Sequence, residues 1–184
     1  AQLLAFHTLM EPGDHFIAAK QLYGGSLNQF QHSFKKFGWQ VTYVDANDLE
    51  SFINAIRPET KLIFAENLAN PGGIIIDIEK IATIAHSSGI PLIIDSTLAT
   101  PYLCKPFEWG ADVVIHSLTK FLGGHGNSLG GVIIDSGKFD WSSHNSYPTL
   151  TEANASYHGL KFCETFGKMA YLVALRTLSL RDLG

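Results

Sequence analysis

The residues with the most direct chemistry lie between Asp112 and Asn127, where the chain reads Asp112-Val113-Val114-Ile115-His116-Ser117-Leu118-Thr119-Lys120-Phe121-Leu122-Gly123-Gly124-His125-Gly126-Asn127. An apolar strand runs into a lysine flanked by hydroxyls, and glycines follow. An amine at the carboxyl end of a buried strand stands where α/β proteins place their ligands. The hydroxyls of Ser117 and Thr119 can hold an anion beside it. These groups suit a lysine that forms an imine with a phosphate-bearing aldehyde, pyridoxal 5′-phosphate (PLP). Two other phosphate motifs fail. A P-loop carries its glycines before the lysine, and the glycines here lack G-x-G-x-x-G spacing.

Lys120 alone is weak, since a lysine after a strand is usually just solvated. Asp95 corroborates it. Pro91-Leu92-Ile93-Ile94-Asp95 is an apolar run ending in a carboxylate, one strand-to-strand step before the run that leads to Lys120. If the two strands are parallel, both side chains emerge at the same sheet edge. A carboxylate there keeps a pyridine nitrogen protonated while the lysine holds the aldehyde carbon. Taken singly, Asp95 reads as a helix N-cap; paired with Lys120, the cofactor reading prevails. Two further segments point the same way. In Glu66-Asn67-Leu68-Ala69-Asn70-Pro71 a third apolar strand ends in polar groups, and the residue before a proline is biased to extended backbone, so the Asn70 amide can reach over the sheet edge toward a ring hydroxyl. A simple Asn-Pro turn accounts for Asn70 equally well. Gln21-Leu22-Tyr23-Gly24-Gly25-Ser26 puts an aromatic before two glycines, where the backbone can come close to a flat ring; a half-buried turn tyrosine is the competing reading. His125, flanked by glycines, reads as a surface histidine.

These residues need a frame, and the hydrophobic pattern supplies one. Strand-like and helical segments alternate, the signature of a mostly parallel sheet flanked by helices. Strands are expected at 15–19, 40–44, 61–66, 90–95, 111–116 and 130–135. Helices are expected at 1–10, 25–37, 47–57 and 77–88, with a short one over Lys105–Trp109, and helical pattern from about 158 onward. A stretch rich in Ser, Asn and Tyr, 137–157, reads as a long loop. The chain opens and closes inside helical patterns, so it reads as a piece of a longer protein. Residues 1–164 are expected to form the cofactor-binding domain, and 165–184 to start a helix leading to another.

Composition sets outer bounds. The 184 residues are 46% apolar with a formal charge of −4, which suits one α/β domain with a real core. The largest basic cluster is Lys35-Lys36, so nucleic acid is not an expected partner. Apolar runs fall short of the ~20 residues of a membrane helix, and no signal-peptide pattern opens the chain. Two widely spaced cysteines, Cys104 and Cys163, indicate reduced cytoplasmic thiols. The histidines lack metal-ligand spacing, so no metal is expected.

The motifs together resemble the Cys/Met-metabolism family of PLP enzymes, which has the type I, aspartate-aminotransferase-like fold. Asp112–His125 matches its lysine motif, Asp95–Pro101 its D-[NS]-T-x-A-[TS]-P segment, Glu66–Pro71 its E-x3-N-P segment and Tyr23–Ser26 its Y-G-G-[ST] segment. The chain departs from the pattern at Ser96, where Asn is commoner, and at Leu98, where Phe is. The resemblance implies that Lys120 bonds the cofactor and shuttles protons, and that Asp95 partners the pyridinium. It further implies that Tyr23 stacks on the ring and acts as a base, that Asn70 meets the ring hydroxyl, and that Ser117 and Thr119 meet the phosphate. Segments such as Ala69–Gly73 and Tyr157–Leu160 look most like the family's O-acetylhomoserine sulfhydrylases. That implies γ-replacement on O-acetyl-homoserine with sulfide, in a homotetramer. The same chemistry without a thiol is γ-elimination, as in methionine γ-lyase or cystathionine γ-lyase. From another class, a non-catalytic α/β module binding a phosphorylated ligand is the rival reading.

Overall fold

A computed structural model describes residues 1–143 and 146–183. Six strands form one sheet in the order β2-β1-β3-β4-β5-β6. They are β1 (His15–Ala19), β2 (Gln40–Val44), β3 (Thr60–Glu66), β4 (Leu92–Asp95), β5 (Val113–Ser117) and β6 (Gly131–Asp135). The first five run parallel and β6 returns antiparallel to β5. β1 and the core of β3 are buried along their length, as strands covered on both faces must be. Because β2 lies on one side of β1 and β3 on the other, the winding reverses between β1 and β3. A crevice opens at such a point beyond the carboxyl ends of the strands.

α1 (Gln2–His7) precedes the first strand, and α2 (Gly24–Asn28), α3 (Leu49–Ala55), α4 (Ile78–Ser87) and α5 (Thr100–Leu103) lie between the strands in sequence. α2 continues through a π turn, Gln29–Ser33, and a 3-10 turn, Phe34–Phe37, so helical backbone covers the expected 25–37. Gly38 then stops it in the left-handed conformation at φ 79°. Phe30 and Phe34 from this segment meet Phe6 of α1, Phe16 of β1 and Phe64 of β3. Ring centroids in this cluster lie 4.9 to 6.1 Å apart. These five rings anchor the core, each at most 1% exposed.

The structure differs from the sequence reading in places. α5 was not expected, because Pro101 obscures the helical pattern, although it sits in the first turn, where its missing N–H costs nothing. The 137–157 segment holds α6 (Pro148–Thr151) and a 3-10 turn at Ala155–Tyr157, while His144 and Asn145 lie outside the described residues. The helical pattern expected from about 158 begins at α7 (Phe162–Phe166), and Gly167, at φ 52°, interrupts it before α8 (Ala170–Ala174).

Candidate active site

Side chains alternate along a strand, and the register here is continuous. Glu66 pairs with Asp95, and Asp95 with Ile115, so Glu66, Asp95 and Ser117 share one face at the carboxyl ends of β3, β4 and β5. Tyr23, from the turn after β1, and Lys120, from the turn after β5, face the same space. A cavity of about 260 Å³ is lined by Tyr23, Glu66, Asn70, Asp95, Ser117 and Lys120, together with Ser26, Leu68, Thr97 and Leu98. It lies at the crevice predicted by the strand order.

Local chemistry fixes each group. Asp95 accepts hydrogen bonds from the Thr97 amide at 2.9 Å and from the Thr97 hydroxyl. The Thr97 hydroxyl in turn accepts from the Ser117 amide at 2.8 Å, tying the end of β4 to the end of β5. Burial pushes the Asp95 carboxyl above the usual carboxylate range, and the two Thr97 donors pull it partway back. Glu66 is more strongly affected, pushed up to about 7 by burial, against the opposing effect of two backbone donors. Those donors are Tyr23 N at 2.7 Å and Asn70 N at 3.0 Å. Beneath them Ser96 is fully buried; its hydroxyl accepts from the Asn67 amide at 3.0 Å and its carbonyl accepts from His116 Nδ1 at 3.0 Å.

Tyr23 is 53% exposed and lies against Gly25: a Cβ built there would come within 2.4 Å of the ring. Only a glycine lets the ring rest so close to the backbone. Lys120 is exposed, and its non-helical backbone (φ −93°, ψ −131°) breaks the turn Leu118–Leu122. Every residue from 120 to 131 is exposed, His125 among them.

Of the residues singled out in the sequence, the structure brings Lys120, Asp95, Tyr23, Asn70 and Ser117 together. Thr119 stands apart from this lining. Its hydroxyl exchanges hydrogen bonds with Gly130, accepting from the amide at 3.1 Å and donating to the carbonyl at 3.3 Å, and so closes the base of the exposed loop. Sequence reasoning gave no role to Glu66 or Thr97. The signal for Glu66 was an acid ending an otherwise apolar strand, and for Thr97 a hydroxyl two residues after Asp95, placed to cap it.

This donor set fits PLP. Two carboxylates held partly out of water, an amine and an aromatic face surround one small cavity, which matches a planar aldehyde whose ring nitrogen carries positive charge.

Known proteins bear directly on this. The family model of Cys/Met metabolism PLP-dependent enzymes matches residues 1–181, and the chain belongs to that family. Sulfhydrylase FUB7 of Gibberella moniliformis is 45% identical over all of this chain and 43% of its own length. The O-acetyl-L-homoserine sulfhydrylase of Leptospira meyeri is 44% identical, again over the whole chain and 43% of its own length. A solved structure of a putative O-acetylhomoserine (thiol)-lyase from Campylobacter jejuni, holding N′-pyridoxyl-lysine-5′-monophosphate, superposes with TM-score 0.94. It is 36% identical and covers 99% of this chain and 45% of that one. The O-acetylhomoserine sulfhydrylase of Wolinella succinogenes gives TM-score 0.86 at 35% identity, covering 100% of this chain and 49% of that one. The chain thus spans less than half the length of these relatives.

Proposed function

We propose that this member of the Cys/Met metabolism family performs γ-replacement on O-acetyl-L-homoserine, with sulfide taking the place of acetate to give homocysteine. The observation that carries the cofactor assignment is a single cavity lined by Lys120, Asp95 and Tyr23. The substrate assignment rests on relatives named as sulfhydrylases that align along the whole chain.

When bound, PLP supplies an electron sink for charge that develops on the substrate amino acid. Lys120 would hold its aldehyde carbon and Asp95 its pyridinium nitrogen. Tyr23 would lie on the ring, Asn70 would meet the ring hydroxyl, and Ser117 the phosphate. Thr119 would serve the phosphate by holding the loop at Gly130, which keeps Ser117 and Lys120 at the cavity. The Lys120 amine, set beside a partly dry wall, would take a proton at Nζ from the substrate α-carbon, the first of the proton shifts that let acetate leave the γ-carbon. The phenol of Tyr23 is the second candidate base. Asp95, fixed by two donors from Thr97, needs no rearrangement to face a cation.

Residues 1–164 form the cofactor-binding domain in this reading, and 165–184 lead toward a further one, with Ala170, Tyr171 and Ala174 still packed into the same core as the sheet. The protein is a cytoplasmic homotetramer. Exposed Ile75, Tyr102, Leu103 and Leu129 support assembly. Among the described residues no helix is long and apolar enough to cross a membrane.

Incubating the intact protein with O-acetyl-L-homoserine, with and without sulfide, tests the reaction. Homocysteine formed only with sulfide supports replacement, whereas 2-oxobutyrate in either incubation assigns a lyase. Lys120→Ala should lose a borohydride-quenchable visible band and lower turnover by roughly 10²–10⁴-fold. A wild-type protein that takes up phosphate esters but never turns yellow with PLP would be a phosphorylated-ligand module instead.

A further inference from the structure

We propose that Glu66 is a positioning residue that straps the two sides of the crevice together, setting the separation of Tyr23 and Asn70 across the site. The proposal rests on the PLP reading for its functional meaning, while its geometry stands without it. The two carboxylate oxygens divide the contacts between them, Oε1 accepting from the Tyr23 amide at 2.7 Å and Oε2 from the Asn70 amide at 3.0 Å. Tyr23 belongs to the turn after β1, and Asn70 to the turn after β3. The winding of the sheet reverses between those two strands, so their outgoing turns diverge there. Glu66 bridges that divergence from the last position of β3, only 6% exposed itself. Tyr23 remains 53% exposed; its carbonyl accepts from Ser26 N at 2.9 Å and Leu27 N at 3.1 Å at the start of α2, and Glu66 fixes its amide from the other side of the crevice.

The strap depends on charge. An ionised carboxylate offers acceptors on both oxygens, whereas a protonated one turns one of them into a donor. Placed against a backbone amide, that oxygen loses its bond. Glu66 changes charge near neutrality, because burial pushes it up to about 7. The charged or titratable groups around it are Asp95 on β4, in register with it, and Tyr23 and Lys120 across the cavity. His116 acts on Asp95 from β5. Below pH 7 the strap opens at one end and the crevice loosens.

The test uses the intact protein in two arms. The first measures amide hydrogen exchange at Tyr23 and Asn70 without cofactor, at pH 8 and pH 6, corrected for intrinsic rates. A lost hydrogen bond to a charged group predicts a fall in protection of about tenfold at one or both amides by pH 6. Glu66→Gln, which has a single amide oxygen to accept with, should show that fall already at pH 8. The second arm titrates PLP by absorbance. Glu66→Gln should bind it about tenfold more weakly at pH 8, with less change down to pH 6 than wild type. Protection in Glu66→Gln equal to wild type, or unchanged PLP affinity, would overturn the proposal. If Glu66→Gln fails to fold, the wild-type exchange at two pH values decides. If wild type binds no PLP, the functional reading falls, and the exchange arm still accepts or rejects the strap.

Discussion

At Gly25 one absent carbon decides where the Tyr23 ring can rest. Because a Cβ there would meet the ring at 2.4 Å, Gly25→Ala must push it off the cavity wall. The same change places a better helix former inside α2, favourable by up to ~1 kcal/mol. The expected result is a divergence: the melting temperature holds or rises while PLP affinity falls several-fold, checked by calorimetry and absorbance titration. Thr97 is the other small residue with a large part. Its hydroxyl donates to Asp95 and accepts from the Ser117 amide, so Thr97→Val keeps the shape and removes both links. An unsatisfied amide costs about 1–3 kcal/mol, so denaturant unfolding should show that loss together with weaker cofactor retention.

Elements carry the next scale, and here the sequence was most legible. Apolar runs located all six strands: β1, β3, β4 and β5 are buried almost throughout and read as near-continuous apolar stretches, whereas the edge strand β2 is only partly covered. Starts were visible where a cap was: Asp77 opens α4 by accepting from the Lys80 amide at 3.1 Å, and Asp77→Ala should cost about 1 kcal/mol in thermal or denaturant melts. The aromatic cluster is more demanding. Phe30, at 1% exposure and in contact with Phe6, Phe16, Phe34 and Phe64, should lose about 3–5 kcal/mol on replacement by Ala, measured as a shift in the denaturant midpoint. Sequence spacing brought Lys120 and Asp95 to one edge but did not show that Thr119 turns to Gly130. Which side a hydroxyl faces depends on the backbone break at Lys120, and no local pattern encodes that. Glu66 was hidden for a related reason: its partners, Tyr23 and Asn70, become neighbours only once β1 lies beside β3.

For the whole molecule, pH acts on stability through two buried groups of opposite sense. His15 hydrogen-bonds through both ring nitrogens, to Thr60 Oγ1 at 2.8 Å and Thr42 Oγ1 at 2.9 Å, and burial lowers it from 6.5 to about 4. Its folded pKa is depressed, so its contribution is complete above pH 6.5 and is lost as pH falls toward 4, on the order of 3 kcal/mol in all. Glu66 is raised from 4.5 to about 7, so its contribution is complete below pH 4.5 and is lost as pH rises through 7. Denaturant midpoints measured from pH 4 to 8 should therefore change little where the two slopes oppose. His15→Gln should unmask a fall in stability as pH rises from 4.5 to about 7, and Glu66→Gln a rise as pH goes from about 4 to 6.5. The long exposed run that begins at Lys120 offers a different kind of readout. Trypsin cuts after lysines whose amines are free, and this one opens a segment that a protease can enter. If Lys120 is the anchoring amine, cleavage before Phe121 becomes a gauge of occupancy: the band pair of a nicked chain on a gel should fade in proportion to the fraction of sites sealed by borohydride.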